Sequence, residues 1–431
     1  MAEELTTAAT SSLVQELVAR HQEPEWLRQK REEAWKTFAQ LPSPKLEKTD
    51  VRKRTWEVSE LSAKTDGRPQ EEIAAVLDAA AEQPFIYLRD GYLMQSNLPS
   101  DLKSQGVVVE DLQTAVTHHE ALLREHLGTV VDDTESKWAA LNAAIWENGV
   151  FVYIPKEVAV ESPIQFIYEE SLAGGGARPR VLIVAETGSK AEFSELSFTP
   201  QDGVRGRVHS EVMEVVADVD SHLKISAVTQ FHKGPTNFVL RRAKVAKDAK
   251  VEWIAGDIGD GFTVALVESR LEGSGAMSSS RALGFGFGRQ RLDLTLSMDH
   301  YGRSSESDIV MHGVMLGKAN SVYRSSSHIR KGAADAASEQ SDRMLVLNKS
   351  TRADAIPMLL IDDNNVRRCG HAASVGKLDE IQIYYLMSRG VSKTEATKMI
   401  VWGYLAPTVD LIPVESMRHL LSRRIDEELE A

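Results

Sequence analysis

The chain has 431 residues, enough for roughly two to three domains and for a sizeable core without covalent staples. Its 63 acidic and 50 basic residues give a formal charge of −13, which argues against a general nucleic-acid binder and against docking on anionic lipid. One cysteine, Cys369, excludes an intrachain disulfide, a zinc site of three or four cysteines, and an iron–sulfur cluster held only by this chain's thiolates. Such sparse cysteine usage fits a reducing compartment. No apolar run approaches the ~18 residues of a membrane span. The opening MAEELTTAATSSLVQEL has acids near its start and no apolar h-region, so it is not a secretory signal. The expectation is a cytoplasmic, acidic protein.

The first part reads as helical. Ser12 and Gln15 form a capping-box pattern ahead of Leu13, Val14, Leu17 and Val18. Pro24 opens a second helical stretch with Trp26, Leu27, Ala34, Trp35 and Phe38, and Pro42 and Pro44 stop it. The polar run SPKLEKTDVRKRT then reads as a solvated linker. Amphipathic helices are predicted over 70–82, 111–127 and 135–146.

At Gly149 the period changes. Phe151-Val-Tyr-Ile precedes Pro155, and Ile164-Gln-Phe-Ile-Tyr follows Pro163. From there to about His371, short alternating runs rich in Val, Ile, Ser, Thr and Gly predict strands. A loose repeat begins at Val184, Val216, Val245, Leu271, Leu316 and Leu347, at steps of 32, 29, 26, 45 and 31 residues. Those steps fit one or two coils of a β-solenoid, in which stacked coils bury a shared apolar column. An antiparallel sandwich of similar strands is the alternative.

After Gly376 the helical period returns. Asp379 and Glu380 sit at a helix start, and Gly390 is a natural C′ stop. Ser392 and Glu395 form a capping box before Ala396, Met399, Ile400 and Tyr404, and Pro407 and Pro413 punctuate. A last helix carries Leu420, Leu421, Ile425 and Leu429 on one side. Ile400-Val-Trp is apolar at consecutive positions and reads as internal packing. The expected division is 1–148 (helical, with a linker), 149–375 (β core) and 376–431 (helical).

Several motifs fail on spacing. GKL at 376–378 lacks the phosphate-loop interval and its Ser or Thr, so no nucleotide is expected on this chain. GFGFG at 284–288 reads as a strand corner. His119-Glu120 lacks a second histidine, since Leu123 stands there, and Glu120 with Arg124 makes an i,i+4 pair on a solvated helix. Gly174-Gly-Gly reads as a flexible loop.

Cys369-Gly370-His371 is the segment that can carry chemistry. In an extended chain Arg367, Cys369 and His371 share one face, with Gly370 leaving the other bare. A guanidinium and an imidazole beside a thiol favour its thiolate, and thiolate plus neutral imidazole suits iron or an iron–sulfur species. The plainer alternative is a buried cysteine acting as a small hydrophobe beside a hydrogen-bonded histidine. Two ligands make half a site, which another subunit can complete.

Residues 329–396, IRKGAADAASEQSDRMLVLNKSTRADAIPMLLIDDNNVRRCGHAASVGKLDEIQIYYLMSRGVSKTEA, resemble the signature region of the SufB/SufD family, scaffold components of SUF iron–sulfur cluster assembly. ALNAAIWENGVFVYIPKEVAVESPIQ at 140–165 is similar to the family's entry into its β-helix. RHQEPEWLRQKREEAWKTFAQLPSPKLEKTD at 20–50, the single cysteine and the modest length resemble the SufD branch rather than SufB. The resemblance implies a right-handed parallel β-helix between helical domains, and a non-catalytic scaffold subunit. It implies pairing with a SufB-like paralogue, or a homodimer when isolated. It also implies that the C-terminal helical domain holds a SufC-like ABC ATPase, where ATP is hydrolysed. The family's Cys-Ser-His motif stands here as Cys369-Gly370-His371. By that match His371 is the first and Cys369 the second candidate ligand for iron or a transient cluster shared with the partner. A cytosolic β-solenoid enzyme acting on an acidic polysaccharide is the alternative, against which the net charge weighs.

Overall fold

The computed structural model describes residues 2–51, 58, 60–65, 67–171, 176–200, 207–232 and 236–431, with side chains from Ser12 onward. The chain opens with helices α1 (Ala2–His21), α2 (Glu25–Gln40) and α3 (Glu71–Ala80). Strands β1 (Phe85–Arg89) and β2 (Tyr92–Asn97), helix α4 (Ser100–Ser104) and strand β3 (Val108–Asp111) follow, then α5 (Leu112–His118), α6 (Glu120–His126) and α7 (Lys137–Ile145). The short strands β4 (Gly149–Ile154), β5 (Ile164–Glu169), β6 (Arg180–Ala185) and β7 (Lys190–Phe198) come next. Twelve ten-residue strands complete the rod: β8 (Val208–Ala217), β9 (His222–Phe231), β10 (Thr236–Val245), β11 (Lys250–Gly259), β12 (Phe262–Leu271), β13 (Met277–Gly286), β14 (Arg291–His300), β15 (Glu306–Met315), β16 (Asn320–Ile329), β17 (Ala337–Val346), β18 (Arg352–Ile361) and β19 (Arg368–Lys377). The chain ends in α8 (Glu380–Ser388), α9 (Lys393–Val409) and α10 (Glu415–Glu430).

From β4 on, each strand pairs in parallel with the strand two places later, so successive strands alternate between two sheets. This winding is a parallel β-solenoid of about seven turns, which decides against the antiparallel sandwich. A coil takes between 26 residues (Thr236 opposite Phe262) and 32 (Asn320 opposite Arg352). The uneven repeat now has a cause. Val184, Val216, Val245 and Leu271 precede one corner of the coil, whereas Leu316 and Leu347 precede the opposite corner. The 45-residue step from Leu271 to Leu316 is one and a half coils.

The first corner repeats a backbone device. Asp220, Asp248, Gly275, Ser304 and Asp335 all adopt positive φ, between 54° and 72°. L-residues resist that region, and glycine, with aspartate in its wake, tolerates it. Each amide donates to the next coil: Asp220 to the Lys247 carbonyl (3.0 Å), Asp248 to Ser274 (3.0 Å), Gly275 to Arg303 (2.9 Å), Ser304 to Ala334 (2.9 Å) and Asp335 to Asn365 (2.6 Å). Alternate residues of both sheets face the lumen, where Val, Ile, Leu, Met and Phe side chains form one apolar column. Tyr323 is fully buried there, and a Cβ at Gly284 or Gly313 on the facing strands would overlap its ring.

Helices cover the outer faces. Trp35 and Phe38 of α2 and Leu141 and Ile145 of α7 pack with outward Val208, Phe238, Phe262 and Val264 of the β4–β18 sheet. On the other sheet, Val401 and Leu405 of α9, Met417, Leu421 and Ile425 of α10, and Val76 of α3 meet Ile254, Leu283, Phe285 and Val314. Val401 is buried, and Trp402 packs on this cluster and donates to Asp426 Oδ1 (2.7 Å), so Ile400-Val-Trp belongs to internal packing.

The N-terminal third departs from the sequence reading in four ways. Ser12 lies inside α1, so the Ser12–Gln15 pair does not start a helix. The predicted 111–127 helix is broken at His119 (φ −128°, ψ 36°), whose ring packs 5.5 Å from Phe151. Strands β1, β2 and β3 were not anticipated: β1 pairs in parallel with β5, and β3 antiparallel with β4. The expected linker is not simply solvated. Val51 is fully buried, the Glu47 carbonyl accepts from Arg324, and Lys48 Nζ reaches Asp354 (2.9 Å). The rest of that run, 52–55, and Gly174-Gly175 of the triple-glycine loop lie outside the described residues. Near the other end, Pro407 lies within α9 rather than after it; its ring forfeits one backbone bond close to the helix end.

Gly284→Ala should lower the unfolding free energy by about 1–3 kcal/mol, because the lumen has no room for the methyl group. Urea denaturation monitored by tryptophan fluorescence measures it, and wild-type stability would contradict this account of the packing.

Candidate functional site: the open end of the rod

β18 and β19 are the last strands of their sheets, and among the described residues nothing pairs with their outer edges. Unlike the coils beneath, they carry largely exposed side chains. Met358, Leu360, Ile361 and Val375 form an exposed apolar rim.

The strand register decides which residues of β19 face the lumen. Ser338, Gln340, Asp342 and Met344 of β17 are buried, and opposite them stand Cys369, His371, Ala373 and Val375. Cys369 and His371 are thus on the lumen side of an unpaired strand, as the i,i+2 argument requires. His371 is exposed, while Cys369 is half-buried against Ile329, Ala333 and Ala336.

Two expectations need correction. Arg367 lies before β19, and its guanidinium is paired with Glu306 (2.6 Å) rather than with the thiol. Burial pushes the Cys369 thiol pKa above its ordinary value; a backbone contact at Ser338 opposes the rise, and the Glu339 carboxylate makes the smallest contribution, adding to it. The resting group is therefore a protonated thiol, not an activated thiolate. Glu339 also accounts for the glycine between the two candidates. It lies opposite Gly370 and pairs with Arg368 (2.8 Å), and a Cβ at 370 would come within 2.7 Å of its Oε2.

Beneath β19 runs a polar column within the apolar lumen. His300 contacts Ser305 Oγ through Nδ1 and Ser307 Oγ through Nε2, both at 2.8 Å. Ser307 donates to Ser338 (2.9 Å), and Ser338 to Ser327 (2.7 Å). Gln340 donates to Ser327 (2.7 Å) and to the Met358 carbonyl (2.9 Å), joining the two sheets in the last coils. The single Ser325 hydroxyl proton is shared between Asp342 Oδ2 (2.7 Å) and Gln340 Oε1 (3.2 Å), the shorter contact being to the carboxylate. Asp342 is fully buried and its Oδ1 has no partner. Burial raises its pKa to about 6, against the Ser325 bond and the charge of His371, which lower it. Nothing in the residue pattern announces this column, since its serines look like ordinary strand polar positions.

Among the described residues no three His, Cys, Asp or Glu side chains stand together as a metal site. Cys369 and His371 supply a sulfur and an imidazole, donors that suit iron or an iron–sulfur species, but only half of a four-coordinate set. Beside this end, α8 starts on Asp379, whose side chain accepts from the Ile381 amide (2.8 Å), and stops at Gly390, which adopts positive φ. Ser392 Oγ accepts from the Glu395 amide (3.2 Å) at the start of α9. Ile381 and Tyr384 of α8 are 77% and 74% exposed, and Tyr385 and Met387 are exposed as well. The discarded motifs stay discarded: Gly376 and Lys377 lie in extended β19, Gly284–Gly286 end β13, and Glu120 pairs with Arg124 (3.3 Å). No helix is long and apolar enough to cross a membrane among the described residues.

A half-buried thiol and an exposed imidazole thus stand on the unpaired last coil of a parallel solenoid. Comparison with known proteins identifies the family. Residues 167–404 match the SufBD core domain of SUF system FeS cluster assembly, and residues 13–166 match the SufBD protein N-terminal region. The chain belongs to the SufBD family of SUF-system iron–sulfur cluster assembly proteins. It is 35% identical over 423 residues to the iron-sulfur cluster assembly protein SufD of Bacillus subtilis, covering 95% of each chain. It is 29% identical to an iron-sulfur cluster assembly SufBD family protein of Staphylococcus epidermidis, and 28% to one of Staphylococcus aureus, covering 94% of this chain and 90% of theirs in both cases.

Burial also lowers the His300 pKa to about 4. Its protonation therefore favours the unfolded chain: the stability is complete above about pH 6.5 and is lost as pH falls toward 4. His300→Gln should remove about 2 kcal/mol of the destabilisation that wild type suffers between pH 7 and pH 5. Urea titrations at the two pH values measure it; equal pH slopes would refute it.

Proposed function

We propose that this chain is the SufD-type subunit of a SUF scaffold complex, pairing with a SufB-type paralogue through the open last coil. The observation that carries this reading is the unpaired β18–β19 edge bearing His371 and an apolar rim. Strand edges with free amides and carbonyls are templates for another chain, and proteins normally cover or charge them. A partner docked here would bury Met358, Leu360, Ile361 and Val375 and bring its own donors to the half-site. In the absence of that partner a second copy of this chain would meet the same edge.

His371 is the first ligand in this proposal, and Cys369 the second. An exposed imidazole needs no rearrangement to bind, whereas the thiol must lose a proton whose pKa is raised. Iron or a nascent cluster is cargo at this interface, acquired and passed on. The subunit catalyses no bond-making step. The 376–431 segment would hold a SufC-type ABC ATPase, for which the exposed Ile381, Tyr384, Tyr385 and Met387 of α8 offer an apolar face. ATP hydrolysis then belongs to the partner and reshapes the subunit interface. We propose the division 1–148, 149–375 and 376–431, right-handed winding of the rod and a cytoplasmic location on the same grounds. With the family known, nothing observed favours a polysaccharide enzyme.

His371→Ala should reduce the iron and sulfide recovered with the affinity-purified complex by at least about tenfold, the usual scale for removing a metal ligand or its support. Cys369→Ser should reduce it less. Unchanged iron and sulfide in the His371 variant, with partners still bound, would remove the ligand assignment.

A second test concerns the ATPase face. Tyr384→Asp together with Ile381→Asp should release the ATPase from the tagged complex while the paired scaffold subunits stay together. Size-exclusion chromatography with light scattering reads the result, and an intact complex would place that contact elsewhere.

A further inference from the structure

Asp342 is a buried carboxylate with one oxygen unaccounted for, and an unpaired buried acceptor is costly enough to need a reason. Its place in the register supplies one. On β17 it is two residues beyond Gln340, which stands opposite His371, so Asp342 and His371 are diagonal neighbours on the lumen side. Ser325 holds Oδ2 from the opposite sheet (2.7 Å) and fixes the carboxylate. Gln340, the residue directly beneath His371, has both ends of its amide engaged, with Ser327, Met358 and Ser325. That leaves Asp342 Oδ1 as the free acceptor on this side of the coil under the imidazole.

We propose that Asp342 is the positioning residue of His371: when a docked partner covers the open coil, Oδ1 accepts the ring N–H and the other ring nitrogen is presented to iron. The inference rests on the reading of His371 as a ligand. It assigns Asp342 no direct bond to iron. Histidine ligands commonly donate their second nitrogen to a carboxylate, which fixes tautomer and ring orientation. Among the described residues of β17, Asp342 is the one beside His371 that keeps a buried acceptor atom without a partner. His371 and Asp342 are not bonded to each other in the uncovered chain; the bond forms on assembly.

The test uses the assembled complex carrying the full-length chain, with 15N-histidine labelling and Co(II) as the probe metal. Asp342→Asn should weaken Co(II) binding by about 10- to 100-fold and convert the single His371 ring tautomer of wild type into a mixture. Asp342→Glu should restore most of both. A purely structural role for Asp342 would leave the tautomer unchanged. Wild-type affinity and tautomer in Asp342→Asn, with Co(II) binding lost in His371→Ala, would overturn the role of Asp342 and leave the ligand reading intact. Wild-type Co(II) binding in His371→Ala would overturn both. If Asp342→Asn fails to give a cooperative thermal transition, Asp342→Ser, matching the neighbouring serines, carries the same expectations.

Discussion

The coil-to-coil hydrogen bond organises this molecule. From β6 to β17, parallel ladders join each strand to its equivalents in the coils before and after it, and left-handed corner residues such as Asp220, Asp248 and Asp335 hand an amide to the next turn. Such a stack is close to one-dimensional: each coil is stabilised by two neighbours, and the lumen is continuous only because they are aligned. The last coil has one neighbour. Its strands keep the register of the rod but not its burial, and Cys369-Gly370-His371 falls on that coil. The candidate half-site therefore stands where the fold's own bonding runs out.

Much of the architecture was legible from the chain. The change of period at Gly149 and the caps at Asp379 and Ser392 express local chemistry that neighbours do not override. The N-terminal third was less readable. β1 and β3 are short, and they are strands because β5 and β4 offer them edges. The break at His119 is fixed by contact with Phe151, 32 residues downstream, which no helical period encodes.

At the site, spacing correctly placed Cys369 and His371 on one face, because strand geometry is local. It misjudged the thiol, because Glu339 and the burial of Cys369 come from another coil. Asp342 was invisible for the same reason. Its meaning depends on pairing with β19 and on Ser325 from the facing sheet, 17 residues upstream. The lumen combines an aliphatic column with a thread of serine, glutamine and histidine side chains that bond across it. Such a thread restricts register more than aliphatic packing does, because a slipped coil would leave several polar groups stranded at once.

The segment after α2 has a mechanical implication. Lys48 and the backbone of Glu47 grip Asp354 and Arg324, residues some three hundred positions later, on the final and penultimate strands of one sheet. A solenoid unravels from its termini, and this one is clasped near its exposed tip by its own beginning. Peeling away the tip thus requires the clasp to let go first, so the N-terminal region guards the integrity of a surface built by strands some three hundred residues later.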